Sequence, residues 1–381
     1  MQTPLISPES TTALWAVLIA IAGFGFWADK TRLGKQISGV GMMLVVAMLL
    51  GNIGVIPHSA PAYDVVWHFL VPTAIPMLLL KANLNRIVRE VGPMLKAFFL
   101  GVSGTVIGAV LGLWLIPLGS AGPDLAGIIA ATYIGGSMNF AGVAEVLEFQ
   151  ESTLLTAALA ADNVAGTIYL LLVVMIPSLA VLRRWIPSPI VENAQSEEID
   201  NEAVSEHAVE FNPAHISLTL SLSLVIGASG YGIANALGAP SYGVLFITAL
   251  TLAIANIFHR QLERLSGAFE TGMIMMYIFF ATIGAGADVG VMIDVGWIIF
   301  LYASFIIAVH LLVILVGAKI FKIDLAEVVI ASLAAIHGPV APAAISASRG
   351  WKTLITPGLM AGILGYAIAN FIGVGLAQAL A

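Results

Sequence analysis

Apolar residues run along this chain in long, nearly unbroken stretches separated by short polar connections. The stretches fall at roughly 13–28, 37–56, 63–80, 94–116, 125–147, 154–182, 215–238, 240–259, 267–287, 293–318, 325–347 and 353–380. Most approach or exceed the about 20 residues a helix needs to cross a bilayer. Barrel strands would show short alternating patterns instead, so the pattern predicts an all-α polytopic membrane protein.

Two stretches are interrupted in the middle, and they correspond. Asp124-Leu125-Ala126 runs into Ile134-Gly135-Gly136-Ser137-Met138-Asn139-Phe140. At an offset of 200, Asp324-Leu325-Ala326 runs into Ile336-His337-Gly338-Pro339-Val340-Ala341-Pro342. Ala131/Ala331, Ala144/Ala344, Thr153/Thr353, Leu159/Leu359 and Ala161/Ala361 match at the same offset. Paired, interrupted apolar segments in two halves point to the binding site of a secondary transporter. A chance match in an Ala- and Leu-rich chain is the competing reading, and the aligned helix breakers argue against it. The predicted architecture is two inverted repeats, each with one broken helix, arranged as a core bundle and a panel bundle. The first repeat spans 1–184, a linker 185–213 and the second repeat 214–381.

Inversion is read from charge. Lys81, Arg86, Arg89 and Lys96 crowd one connection, while its counterpart, Asp288 to Asp294, has no base; the next pair of connections reverses this, with Lys319 and Lys322 in the second half. Basic loops face the cytoplasm. Twelve segments conflict with inversion, because an odd number of crossings must separate the two breaks. The expected total is therefore about eleven to thirteen helices, with one stretch of the 215–259 pair as the suspect.

Composition sharpens the class. The chain has 381 residues, 59% hydrophobic and only 10% charged, against about 25% charged in soluble domains. It has no cysteine, so it carries no disulfide and no thiolate metal site. Met1 to Thr12 lacks a basic region and cleavage site, so the first apolar segment is expected to be retained. The net charge of −7 comes from the linker, which holds Glu192, Glu197, Glu198, Asp200, Glu202, Glu206 and Glu210 without a base. That composition reads as a solvated tether between the halves.

The breaks are where chemistry is expected. Backbone unwound inside a bilayer is tolerated only beside protein or a water-filled cavity. Free N–H groups at half-helix N-termini suit anions, and unwound carbonyls suit cations. Gly135, Gly136, Ser137 and Asn139 supply one break, and His337, Gly338 and Pro339 the other; these are the candidate solute-binding residues. A pair of plain kinks at Gly and Pro is the bland alternative. Charge retained deep in an apolar segment is a functional hypothesis by default. Asp162-Asn163 offers hard oxygen ligands for Na⁺ or a proton site, against a simple polar contact within the bundle. Glu145, six residues past Asn139, is a further ion candidate or an interfacial residue. His310 lies mid-segment and fits either a proton relay or a buried neutral histidine. No nucleotide-binding GxxxxGK[ST] loop, HExxH motif or Ser–His–Asp order occurs, so neither an ATP-driven pump nor an enzyme is expected. No nucleic-acid partner is expected either.

The stretches IGGSMNFAGVAEVL, ALAADNVAGTIYLLLV and GPVAPAAISASRGWKTLITPGLMAGILGYAIANFIG resemble a bacterial and plant family of integral membrane proteins, domain of unknown function 819. Its architecture is similar to transporters with two crossed broken helices: sodium/proton antiporters and the bile-acid and glutamate sodium symporters. In the antiporters an Asp-Asp or Asn-Asp pair after the first broken helix binds the ion. Asp162-Asn163 is similar in type and placement, with the order reversed. The resemblance implies an elevator-like movement and a homodimer in the bacterial inner membrane. The combined expectation is a secondary transporter of a small polar or anionic solute, coupled to Na⁺ or H⁺ at Asp162, Asn163 and Glu145. It would need membrane lipid and no cofactor beyond a Na⁺ ion. A cation/proton antiporter without organic substrate is the alternative. A non-transporting receptor or scaffold is the alternative from another class.

Overall fold

A computed structural model describes residues 4–31, 39–196 and 212–381. The described residues form helices and connections without a strand. Glu197, Glu198, Asp200, Glu202, Glu206 and Glu210 of the expected linker lie outside the described residues. The main helices are α1 (Thr11–Asp29), α2 (Gly39–Asn52), α3 (Pro61–Leu79), α4 (Leu84–Val91), α5 (Met94–Leu115), α6 (Gly122–Gly135), α7 (Met138–Val146) and α8 (Ser152–Met175). They continue as α9 (Pro189–Ser196), α10 (Pro213–Ala236), α11 (Gly243–Ile257), α12 (Ala268–Gly286), α13 (Val289–Phe321), α14 (Leu325–His337), α15 (Val340–Ser348) and α16 (Ile355–Leu380). Among the described residues, nine helices are long and apolar enough to cross a membrane. Helix α2 is a shorter apolar helix antiparallel to α1, with its start at Gly39 against Asp29 at the end of α1.

The helices sort into two bundles. In one, α1 and α2 pack on α12, α10 packs on α11, and α3 lies against α10, α11 and α12. The other holds α5, α8, α13, α16 and the two interrupted segments. Its helices approach through small residues, the usual device where lipid gives no hydrophobic drive between helices. A Cβ at Gly104 would lie 2.8 Å from His310 Cα, one at Gly108 3.0 Å from Ile306 Cα, and one at Gly112 2.9 Å from the Tyr302 ring. Positions rise on α5 as they fall on α13, so these two helices are antiparallel. Helices α6 and α16 are antiparallel in the same way, through Gly127 on Gly373 and Gly135 on Gly365.

The interrupted segments do not continue across the molecule; each turns back as a helical hairpin. A Cβ at Gly373 would meet Ala131 of α6 at 2.8 Å and Val143 of α7 at 3.0 Å, so both arms lie along α16 at one level. Both ends of this hairpin sit at one end of the molecule. Glu148, just past α7, accepts a 2.7 Å hydrogen bond from Ser241 Oγ; the adjacent Tyr242 bonds Gln378 at the end of α16, whose Ala377 packs on Gly127 near the start of α6. The second hairpin mirrors this. A Cβ at Gly358 would meet Ile330 of α14 at 2.7 Å and Pro342 of α15 at 3.1 Å. Its entry at Asp324 binds Ser188 and the Ile190 amide, and its exit at Gly350 lies against Ala194, all on the α9 region. The reversals occur at Gly136 (φ 83°, ψ 172°) and Gly338 (φ 69°, ψ −160°), a backbone region that is essentially open only to glycine.

This corrects two expectations. The segments 122–146 and 325–348 are hairpins rather than helices that cross one another as broken spans. The pair 215–259 contains no defective member, since Pro213–Ala236 and Pro240–Ile257 are both long and apolar. Among the described residues nine helices are long and apolar enough to cross a membrane and α2 is a shorter apolar one, against the expected eleven to thirteen. The first end gathers Asn52, Thr153, Ala287 and Asp288 (Asn52 Nδ2 to Ala287 O, 2.8 Å; Asp288 N to Thr153 Oγ1, 3.2 Å) with Glu148 and Ser241. The second gathers Ala82 with Asn256, Arg86 with Glu263, Lys319 with Trp185, and Asp324.

Candidate functional site at the hairpin tips

The two reversals meet. A Cβ at Gly136 would lie 3.3 Å from Gly338 N, so the tips touch backbone to backbone. Helix α16 presses directly onto them, because a Cβ at Gly362 would lie 2.5 Å from Pro339 Cα. Helix α8 borders the tips elsewhere and stands off. At Gly166 the nearest atoms to an added Cβ are His337 Nε2 at 3.7 Å and Asp162 Oδ1 at 3.8 Å. At the offset of 200 that relates the two halves, Gly362 corresponds to Asp162. Where one helix has a packing glycine, its counterpart carries a carboxylate.

Around Asp162 the donors converge from three elements. Ser137 Oγ, at the first tip, donates to Asp162 Oδ2 at 3.2 Å. Fully buried Tyr133 on α6 brings its hydroxyl beside the same carboxylate. His337, at the second tip, donates from Nε2 to Gly166 O at 3.2 Å, which leaves its buried Nδ1 as an acceptor without a partner. Asp162, Ser137 and His337 each keep part of their surface accessible. The set of carboxylate, hydroxyl oxygens and nearby reversal backbone is the hard-oxygen chemistry of a small cation site.

Not every sequence candidate joins it. Asn163 turns its Nδ2 to Leu159 O of its own helix, at 2.8 Å. Glu145 lies seven residues beyond Met138, about 10 Å along α7, and faces His68 of α3 at 3.2 Å, between the bundles. Asn139 is buried with an unpartnered Nδ2, and it faces α3 and α16 rather than Asp162.

His310 sits in a closed network. Its Nδ1 is 2.9 Å from Thr105 Oγ1, and its Nε2 is 2.9 Å from Ser332 Oγ, which in turn bonds Tyr169. Thr105 donates its one proton to Tyr133 O, so it accepts from Nδ1–H. Nε2 then accepts from Ser332, and Tyr169 donates to Ser332. Every group is satisfied with the imidazole neutral, and the chain ties α5, α13, α14 and α8 together. His310→Leu strands the Ser332 hydroxyl and is expected to cost about 1–3 kcal/mol, read as a lower melting temperature with the response to added cation retained.

Tyr133, Gly166, Gly362, Tyr366 and Asn370 are site residues that the sequence reading did not single out. The glycines carried a readable signal, since small residues three or four apart mark close helix contacts; Gly104, Gly108 and Gly112 show it, as do Gly358, Gly362 and Gly365.

The family described as protein of unknown function (DUF819) matches residues 16–381. The chain belongs to the DUF819 family. A relative in Bacillus subtilis (strain 168), described as uncharacterized membrane protein YjcL, is 31% identical over 385 residues, covering 97% of this chain and 96% of that protein. This DUF819 member is an integral membrane protein, in keeping with the description of that relative and with the nine long apolar helices among the described residues.

Proposed function

We propose that the protein is a secondary active transporter that couples a cation at Asp162 to a small polar or anionic solute at the hairpin tips. The observation that carries this reading is the meeting of two glycine-only reversals beside a partly accessible carboxylate. Irregular backbone at that depth is tolerated only where protein surrounds it or a water-filled cavity borders it, and the accessible surface left on Asp162, Ser137 and His337 supports a cavity on the α8 side.

The fold supports inverted repeats. The counterparts α5 and α13 are antiparallel, and the hairpins open at opposite ends. Five helices, α8 and α10 to α13, separate the hairpins, which is the odd number inversion requires. Of the 15 Lys and Arg, Arg32 and Lys35 lie outside the described residues; the rest fall at or beyond helix ends on the second side, with none on the first. By the positive-inside rule the second end is cytoplasmic. On this reading the protein belongs to the inner membrane of a bacterial cell, with its second end in the cytoplasm. Alternating access would move the hairpin bundle against the α1–α3 and α10–α12 panel, and the panel would hold a homodimer together. The tight contact of the tips favours one second reading, a cation/proton antiporter that carries no organic solute.

Two measurements test the proposal. Apparent melting temperature in NaCl against KCl or choline chloride, across pH, should show a rise specific to Na⁺, or a pH response if protons couple; neither response sinks the coupled reading. In this cysteine-free background, Ser120→Cys and Gln150→Cys should label from one side and Lys322→Cys and Lys352→Cys from the other. Labelling of positions 120 and 150 from opposite sides would overturn the hairpin topology.

A further inference from the structure

A second polar site lies away from Asp162, where the first hairpin faces the panel. Asn139 and Asn370 are only 4% and 2% exposed. Asn139 Nδ2 is a donor without a partner, and Asn370 Oδ1 an acceptor without one. Both line one small cavity with Tyr366 and with Ile75, Leu78 and Leu79 of α3. The juxtaposition is built. The Asn370 amide occupies the space that a side chain at Gly142 would take, 2.8 Å from that Cβ, and Gly142 lies three residues from Asn139, on the same face of α7. Buried orphan polar atoms call for an explanation, and here one of each kind belongs to the two asparagines that line the same gap.

The gap has room for about one water-sized group. Its lining carries no charged side chain. A group that fits must accept from Asn139 and donate to Asn370. A carboxylate has no proton for Asn370 Oδ1, and an ammonium has no lone pair for Asn139 Nδ2. A hydroxyl has both. Resting on the transporter reading above, we propose that Asn139 and Asn370 form a subsite for an uncharged hydroxyl of the transported solute, in the place one water takes when the solute is absent. Because α3 belongs to the panel, occupancy would bridge the two bundles, and the solute would be sensed at the surface along which they move.

The test uses matched pairs that differ by a hydroxyl, one for each charge class: lactate and propionate, L-serine and L-alanine, choline and ethyltrimethylammonium. Each is titrated against melting temperature of the intact purified protein in fixed NaCl. At least one hydroxylated member should bind about tenfold or more tightly than its partner, the value of one net hydrogen bond or more. Asn370→Leu should erase that difference. If Asn370→Leu does not fold, the isosteric Asn139→Asp, which replaces the donor by an acceptor, should erase it instead. No separation in any pair, or a separation that survives these variants, overturns the proposal. The Na⁺ response of the same samples reports on Asp162 independently, so a failed subsite and a failed transporter reading give different results.

Discussion

Asp162→Asn is expected to abolish the cation response while leaving the protein folded. In the wild type the carboxylate accepts from the Ser137 hydroxyl and lies beside neutral Tyr133, and among the described residues no Lys or Arg is paired with it. A charge held at this depth without a counter-ion is costly, and a bound cation removes that cost. At a Na⁺ concentration about 100-fold above its dissociation constant, binding to the folded state adds about 2.7 kcal/mol, a rise of several degrees in melting temperature. The amide keeps the shape and the hydrogen bond from Ser137, but lacks the charge. The variant should match or exceed the wild type in choline chloride and fall below it in NaCl. This crossing of two curves is what a purely structural Asp162 would not produce. An equal Na⁺ rise in both proteins would sink the assignment and move attention to Glu145, whose Oε2 is buried without a partner beside His68.

Much of this arrangement is legible in the sequence. The twelve apolar segments, the matched breakers and the charge reversal all follow from side-chain type and spacing. The direction of the chain after each breaker did not. A hairpin of two apolar arms has the same hydropathy and nearly the same length as one crossing, so segment 122–146 reads equally well as a span. The discriminating signal was local. Helices α6, α7, α14 and α15 have 14, 9, 13 and 9 residues, each too short to span alone and of the length typical of re-entrant segments. Each pair is joined through a glycine whose backbone no other residue readily adopts. The site was legible in the same uneven way. Asp162, Ser137 and His337 announce themselves as polar groups in apolar surroundings. Asn370 and Tyr366 look like ordinary polar residues of a long helix, and only the packing of α16 on both hairpins brings Tyr366 to the second tip and Asn370 to Gly142 of α7. The Asn163 amide nitrogen bonds its own helix because neighbours in sequence point to different faces, and Glu145 lies apart from Asp162 because α7 turns back toward the first end.

Gly373→Leu and Gly166→Ala should differ sharply, although the two glycines occupy related helices. At Gly373 even a Cβ would lie 2.7 Å from the Gly127 carbonyl oxygen, 2.8 Å from Ala131 and 3.0 Å from Val143. Backbone on one side and both arms of the hairpin on the other leave nothing able to yield. A leucine there should cost at least the about 1–3 kcal/mol of core overpacking, and at roughly 2–4 °C per kcal/mol it should lower the melting temperature by several degrees or remove folded protein altogether. At Gly166 the nearest atoms are 3.7 and 3.8 Å away, ordinary contact distances, and alanine is favoured over glycine within a helix by about 1 kcal/mol. Gly166→Ala should therefore melt at or above the wild type. Its methyl, however, fills the space between His337 and Asp162, so its Na⁺ response should shrink. Stability and cation response would then move in opposite directions at Gly166, and stability alone at Gly373. A Gly166→Ala protein as unstable as Gly373→Leu would mean that α8 grips the tips as closely as α16 does, and would leave no opening at Asp162 for an ion to enter.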